Sequence, residues 1–66
     1  MPSVTIEGPE IKDIEKKRQL VKRITEVIFD IYGIAKEHII VLIRENSKEN
    51  VGAGGQLIAD KHKNMT

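Results

Sequence analysis

Chemistry in this sequence starts at Pro2, directly after Met1. Small second residues, proline among them, permit removal of an initiating methionine, and removal here would leave a secondary amine at the head of the chain. An α-amine titrates at about 7.7–8.0 in a free peptide. Apolar surroundings disfavour its cation and lower that value. A neutral amine near pH 7 is a usable general base, and the proline ring restricts how its nitrogen can move. Taken alone, a proline at this position also fits ordinary composition.

Other chemistries are thin. There is no cysteine, so disulfides and thiolate metal sites are excluded. His38 and His62 are too far apart in the sequence to read as a metal-ligand pair. Eleven basic residues against ten acidic ones leave no basic excess for nucleic acid. Phe29 and Tyr32 are the only aromatic residues, too few for a base-stacking platform. The longest apolar run, Ile39–Ile43, is far too short for a membrane span, and no leader pattern opens the chain. These features predict a soluble cytoplasmic protein that binds neither nucleic acid nor membrane. The segment Gly52-Ala53-Gly54-Gly55 runs into Gln56-Leu57-Ile58 rather than Lys-Ser/Thr, so it reads as a turn and not a phosphate cradle.

The elements that must position Pro2 follow from periodicity. Val4 and Ile6 alternate with Ser3, Thr5 and Glu7, a strand over about 3–8, closed by Gly8-Pro9. Asp13 can cap a helix over about 13–32. Its apolar face is Ile14, Leu20, Val21, Ile24, Val27, Ile28 and Ile31, and Gly33 follows it. The run Ile39–Ile43, extended by His38 and by Arg44-Glu45, is rich in β-branched residues and reads as a second strand. The turn residues Asn46, Ser47 and Asn50 come next, then the glycine segment, then a short final strand over Gln56–Ala59. This order describes an α/β chain (α+β in some schemes), a β-α-β subunit with a short C-terminal hairpin and a right-handed parallel strand pair. It forms a single domain over 1–66, with an ordered core of about 2–59 and a polar tail over 60–66.

Two physical arguments predict self-assembly. A 66-residue chain folding alone buries only about 60% of its unfolded surface, and no disulfide or metal is present to compensate. The second strand is also apolar on both faces, whereas one helix covers one face. Another copy of the chain is the simplest cover for the remainder.

Pro2, the helix, the strand Ile39–Ile43 and Gly52-Ala53-Gly54-Gly55 followed by Gln56-Leu57 together resemble the 4-oxalocrotonate tautomerase family over nearly the whole chain. With Ile6-Glu7-Gly8-Pro9 they are most similar to its small-subunit DmpI branch. The resemblance implies dimers with a four-stranded sheet, three of which form a homohexamer. It also implies a cofactor-independent isomerase in which the N-terminal proline moves a proton within an enol or 2-oxo acid.

Residue by residue, the resemblance carries over with departures. Lys12 stands where the family has an arginine that grips a substrate carboxylate, keeping the charge without the bidentate fork. Ile40 stands where a second arginine polarises the carbonyl, and Val51 replaces an aromatic wall beside the proline. Arg44, delivered from a neighbouring subunit, and His38, at the start of the second strand, are candidates for the missing cation. Arg44 shares a strand face with Ile40 but lies about 13 Å along it. Both also read as ordinary surface residues, Lys12 as a plain loop lysine, and Lys36 and Lys48 as solvated. The alternative function is a non-catalytic oligomeric binding or scaffold protein of the same fold. A third reading keeps the proline but changes the reaction to hydration or dehalogenation of an unsaturated acid, and no carboxylate is placed to activate the water.

Overall fold

The computed structural model describes the backbone of residues 2–64 and the side chains of residues 2–61. Met1, whose removal the sequence suggests, and Met65 and Thr66 of the tail lie outside the described residues.

Strand β1 (Ser3–Gly8) and helix α1 (Ile14–Tyr32) follow the sequence periodicities closely. Asp13 ends the helix at its N-terminus, its Oδ1 accepting the Glu15 N–H at 2.9 Å, which satisfies one of the donors a helix start leaves free. Gly33 ends the other terminus in the left-handed region at φ 68°, donating its N–H to the Phe29 carbonyl at 2.8 Å. Strand β2 (Ile40–Glu45) pairs parallel to β1, in register from Ser3 opposite Ile40 to Gly8 opposite Glu45. The 19-residue helix supplies the long crossover that a parallel pair requires.

The β2 strand begins later than the sequence suggests. His38 lies in a single 3-10 turn over Lys36–His38, and Ile39 follows it with its N–H on the Lys36 carbonyl. The turn explains this: the His38 N–H bonds the Ala35 carbonyl and the Ile39 N–H the Lys36 carbonyl, so the first N–H free for the ladder is that of Ile40, which bonds the Pro2 carbonyl.

The Gly54-Gly55 pair, at φ 64° and 81°, closes a two-residue hairpin between β3 (Gly52–Ala53) and β4 (Gln56–Leu57). Positive φ at both central positions gives the strand-matching turn that glycine adopts without a Cβ penalty. The final strand stops at Leu57 and not at Ala59. The Ile58 N–H still bonds the Val51 carbonyl opposite it at 2.8 Å, but the next partner, Asn50, lies in the 3-10 turn over Lys48–Asn50, so the pairing goes no further. From there the chain is helical, α2 (Ile58–Asn64), across the segment the sequence left as a polar tail.

Packing follows the alternation. Val4, Ile6, Val41 and Ile43 form the half-buried face of the sheet, against which the crossover helix sets Leu20, Ile24 and Ile28. Ile39, 7% exposed, is the one buried hydrophobic side chain among the described residues. The other face carries Ile40 and Leu42, 47% and 45% exposed, beside Ser3 and Thr5. The two-sided apolar character of the second strand thus leaves a half-exposed apolar stripe on a single subunit. The subunit is extended as well: its radius of gyration is 15.7 Å, against about 11 Å for a compact domain of this length.

Candidate active site

Pro2 stands at the head of β1, half-buried, with its carbonyl held by the Ile40 N–H at 3.1 Å. The register sets it beside Ile39, the most buried side chain described, so its surroundings on the β2 side are apolar. His38 is exposed at this same end of the strand pair.

The other candidates lie at the opposite end. Five residue steps from Ser3 to Gly8 place the two ends of β1 about 17 Å apart. Lys12 is exposed in the connection between β1 and α1. That connection is tied to β2 through Glu45, whose Oε2 accepts the Ile11 N–H at 2.7 Å and whose Oε1 accepts from Lys17 Nζ at 2.9 Å. The Ile11 amide, and then the Lys17 ammonium, hold the Glu45 carboxyl below the usual carboxylate range. Arg44 stands opposite Glu7 in the register, on the face that carries Ile40 and Leu42. Val51 follows the 3-10 turn over Lys48–Asn50. One chain therefore brings Pro2 together with His38 alone, and gathers Lys12, Arg44 and Val51 at the far end.

Val51 lines a cavity of about 660 Å³ at that far end. Pro9, Val51 and Ile58 supply its apolar wall; Asn46, Asn50, Lys48 and Glu7 supply the polar groups. Sequence reasoning treated Lys48 as solvated and gave Asn46 and Asn50 only a turn role. What could have singled them out is contiguity: the stretch from Asn46 to Asn50 runs directly into Val51, a position already singled out. Among the described residues no group of three or more histidine, aspartate and glutamate side chains could hold a metal ion. None of the described helices is long and apolar enough to cross a membrane.

A strand–helix–strand subunit headed by a proline and closed by a glycine hairpin is the architecture of small tautomerases. Residues 2–61 match the Tautomerase family, described as tautomerase enzyme, and the chain belongs to it. It is 35% identical to the 2-hydroxymuconate tautomerase of Bacillus subtilis strain 168 over 60 residues, covering 91% of this chain and 97% of that protein. Among solved structures it is similar to DmpI from Archaeoglobus fulgidus, with 47% identity and a TM-score of 0.79, covering 89% of this chain and all of the other. A 4-oxalocrotonate tautomerase homologue aligns at 33% identity and a TM-score of 0.82, covering 91% of this chain and 95% of its own. Family membership places the chain among isomerases with tautomerase activity rather than non-catalytic scaffolds.

Proposed function

We propose that this chain is a cofactor-independent keto–enol tautomerase of unsaturated 2-hydroxy or 2-oxo acids, working as a homo-oligomer with Pro2 as its general base. The observation that carries the reading is the setting of Pro2. Its carbonyl is anchored in the β1–β2 ladder by the Ile40 N–H, one step ahead of the Ser3–Ile40 pair and level with the buried Ile39, so a nitrogen freed by loss of Met1 would be held at an ordered end of the strand pair. In the reaction the Pro2 amine takes the 2-hydroxyl proton as the enol collapses to a carbonyl. The resulting ammonium returns a proton to a carbon of the conjugated system, which regenerates the amine.

The oligomer is supported by separation and by surface. Lys12 and Val51 lie beyond the Gly8 end of β1, and Pro2 precedes its Ser3 end, with a strand of about 17 Å between them, so they serve a substrate held at Pro2 from another copy. The half-exposed stripe of Ile40 and Leu42 and the extended subunit give that copy a surface to cover. A homohexamer, a trimer of dimers, is the assembly the family resemblance implies. For that site the resemblance offers Lys12 as a positive charge for a substrate carboxylate; His38 stands next to the base, and Arg44 lies on the face offered to a neighbour.

The test is an ultraviolet assay of ketonisation with 2-hydroxymuconate and with phenylenolpyruvate, together with the intact mass of the protein. The expected mass is one methionine short of the full sequence. Pro2→Ala is expected to lower kcat/KM by about 10²–10⁴, the range a positioned general base contributes. Equal turnover by both proteins on both substrates would remove Pro2 from the mechanism.

A further inference from the structure

We infer that Lys48, and not Lys12, which does not line the cavity, is the cation that binds the substrate carboxylate, and that this cavity selects an unsaturated monocarboxylic acid over a diacid. This deepens the tautomerase reading and rests on it. The cavity volume, about 660 Å³, falls within the range of about 300–1,000 Å³ typical of small-ligand sites. Its wall combines an apolar part, formed by Pro9, Val51 and Ile58, with a few polar groups, as such sites do. Lys48 is the one cation among the lining residues, and it takes part in no ion pair among the described residues.

The lysine is also presented by a locally fixed turn. Ser47 Oγ accepts the Glu49 N–H at 3.2 Å, and the Ser47 carbonyl accepts the Asn50 N–H at 2.8 Å, so Lys48 and Asn50 are carried on a closed 3-10 turn. Asn46 and Asn50 also line the cavity; Asn46 Nδ2 donates to Glu7 Oε1 at 3.4 Å, and the Asn50 amide adds a neutral donor to the wall. The remaining charged lining group is Glu7. One cation and one carboxylate suit a single anionic group on the ligand: a second carboxylate would meet either Glu7 or the apolar wall, and both are unfavourable. The ligand chemistry that fits is a carboxylate at Lys48 with an unsaturated hydrocarbon part against Val51 and Ile58. Since Pro2 lies at the other end of the strands, this cavity meets the Pro2 of a second copy.

The experiment separates this assignment from the role of Pro2. Methyl resonances of Val51 and Ile58 are followed during titration with trans-cinnamate, neutral trans-cinnamide and the diacid trans,trans-muconate, none of which can ketonise. Cinnamate is expected to shift both residues and to bind about tenfold more tightly than cinnamide, as expected for one hydrogen bond to a charged group. It is also expected to bind more tightly than muconate. Lys48→Gln is expected to erase the acid-over-amide preference and to raise KM for phenylenolpyruvate with kcat little changed; Lys48→Arg is expected to restore both. Equal affinity for acid and amide, an unaltered Lys48→Gln titration, or tighter binding of muconate would overturn the assignment. So would Val51 and Ile58 shifts that follow protein concentration and ignore cinnamate, because these would give the cavity to a second copy. The base is judged separately by the Pro2→Ala turnover assay, which needs none of these titrations.

Discussion

Replacing Leu42 with serine tests the idea that another copy covers the β2 face. Leu42 points away from the half-buried face that α1 covers, and 45% of it remains exposed in the single subunit. Full burial of a leucine side chain stabilises by about 1.5–3 kcal/mol, so covering the remaining fraction contributes about 1 kcal/mol per subunit. Two copies that both bury Leu42 in their contact lose about 2 kcal/mol in the variant, and a serine hydroxyl left without a partner there adds to the loss. At 1.4 kcal/mol per factor of ten, the dissociation constant should rise by at least about 30-fold. Sedimentation velocity across a concentration series reads this directly, and circular dichroism should show unchanged helix content, because α1 does not rest on this side of the sheet. A dissociation constant within about threefold of the parent, with the fold intact, would show that Leu42 stays in solvent and would refute the reasoning.

Other perturbations follow from the same geometry. Glu45 joins the Ile11 amide and Lys17, so Glu45→Gln should loosen the connection that carries Lys12, read as faster amide exchange at Ile11. The folded Glu45 carboxyl titrates below its unfolded value, so its contribution to stability is present above the unfolded pKa of about 4.3 and is lost as pH falls through the folded value. Parent and Glu45→Gln stabilities should therefore differ at neutral pH and converge in acid; a gap that persists at the lowest pH would contradict this. Gly33→Ala forces a Cβ into φ 68° with no neighbouring atom within 4 Å of it. Its cost should be the backbone term alone, about 1–2 kcal/mol in urea unfolding, with Gly33→Asn milder. Ile39→Ala removes the one buried side chain described and should cost about 2–5 kcal/mol; a loss well under 1 kcal/mol would show that the packing is centred elsewhere.

Much of the fold is legible in the residues themselves. The alternation of Val4 and Ile6, the three- and four-residue steps from Ile14 to Ile31, Asp13 before the helix and Gly33 after it, and the glycine pair in the hairpin each act within a few residues. Local side-chain placement and backbone preference are enough to decide them. The place of Pro2 directly ahead of the first strand was legible in the same way. The exclusion of His38 from β2 was not legible, because it depends on the turn over Lys36–His38, which takes the His38 and Ile39 N–H groups before the ladder starts. The early end of the last strand and the helix from Ile58 depend on the partner that the turn over Lys48–Asn50 withholds.

The sequence by itself determined the local elements, a proline directly behind Met1, the absence of thiols and the two-faced apolar strand that asks for a companion. Only the tertiary structure decided that Pro2 and His38 stand at one end of the strands while Lys12, Arg44, Val51 and the cavity with Lys48 stand at the other. Spacing along a chain fixes conformation over a turn or two. Which side chains share a cavity is fixed by strand register, which joins segments far apart in the chain that no local pattern connects.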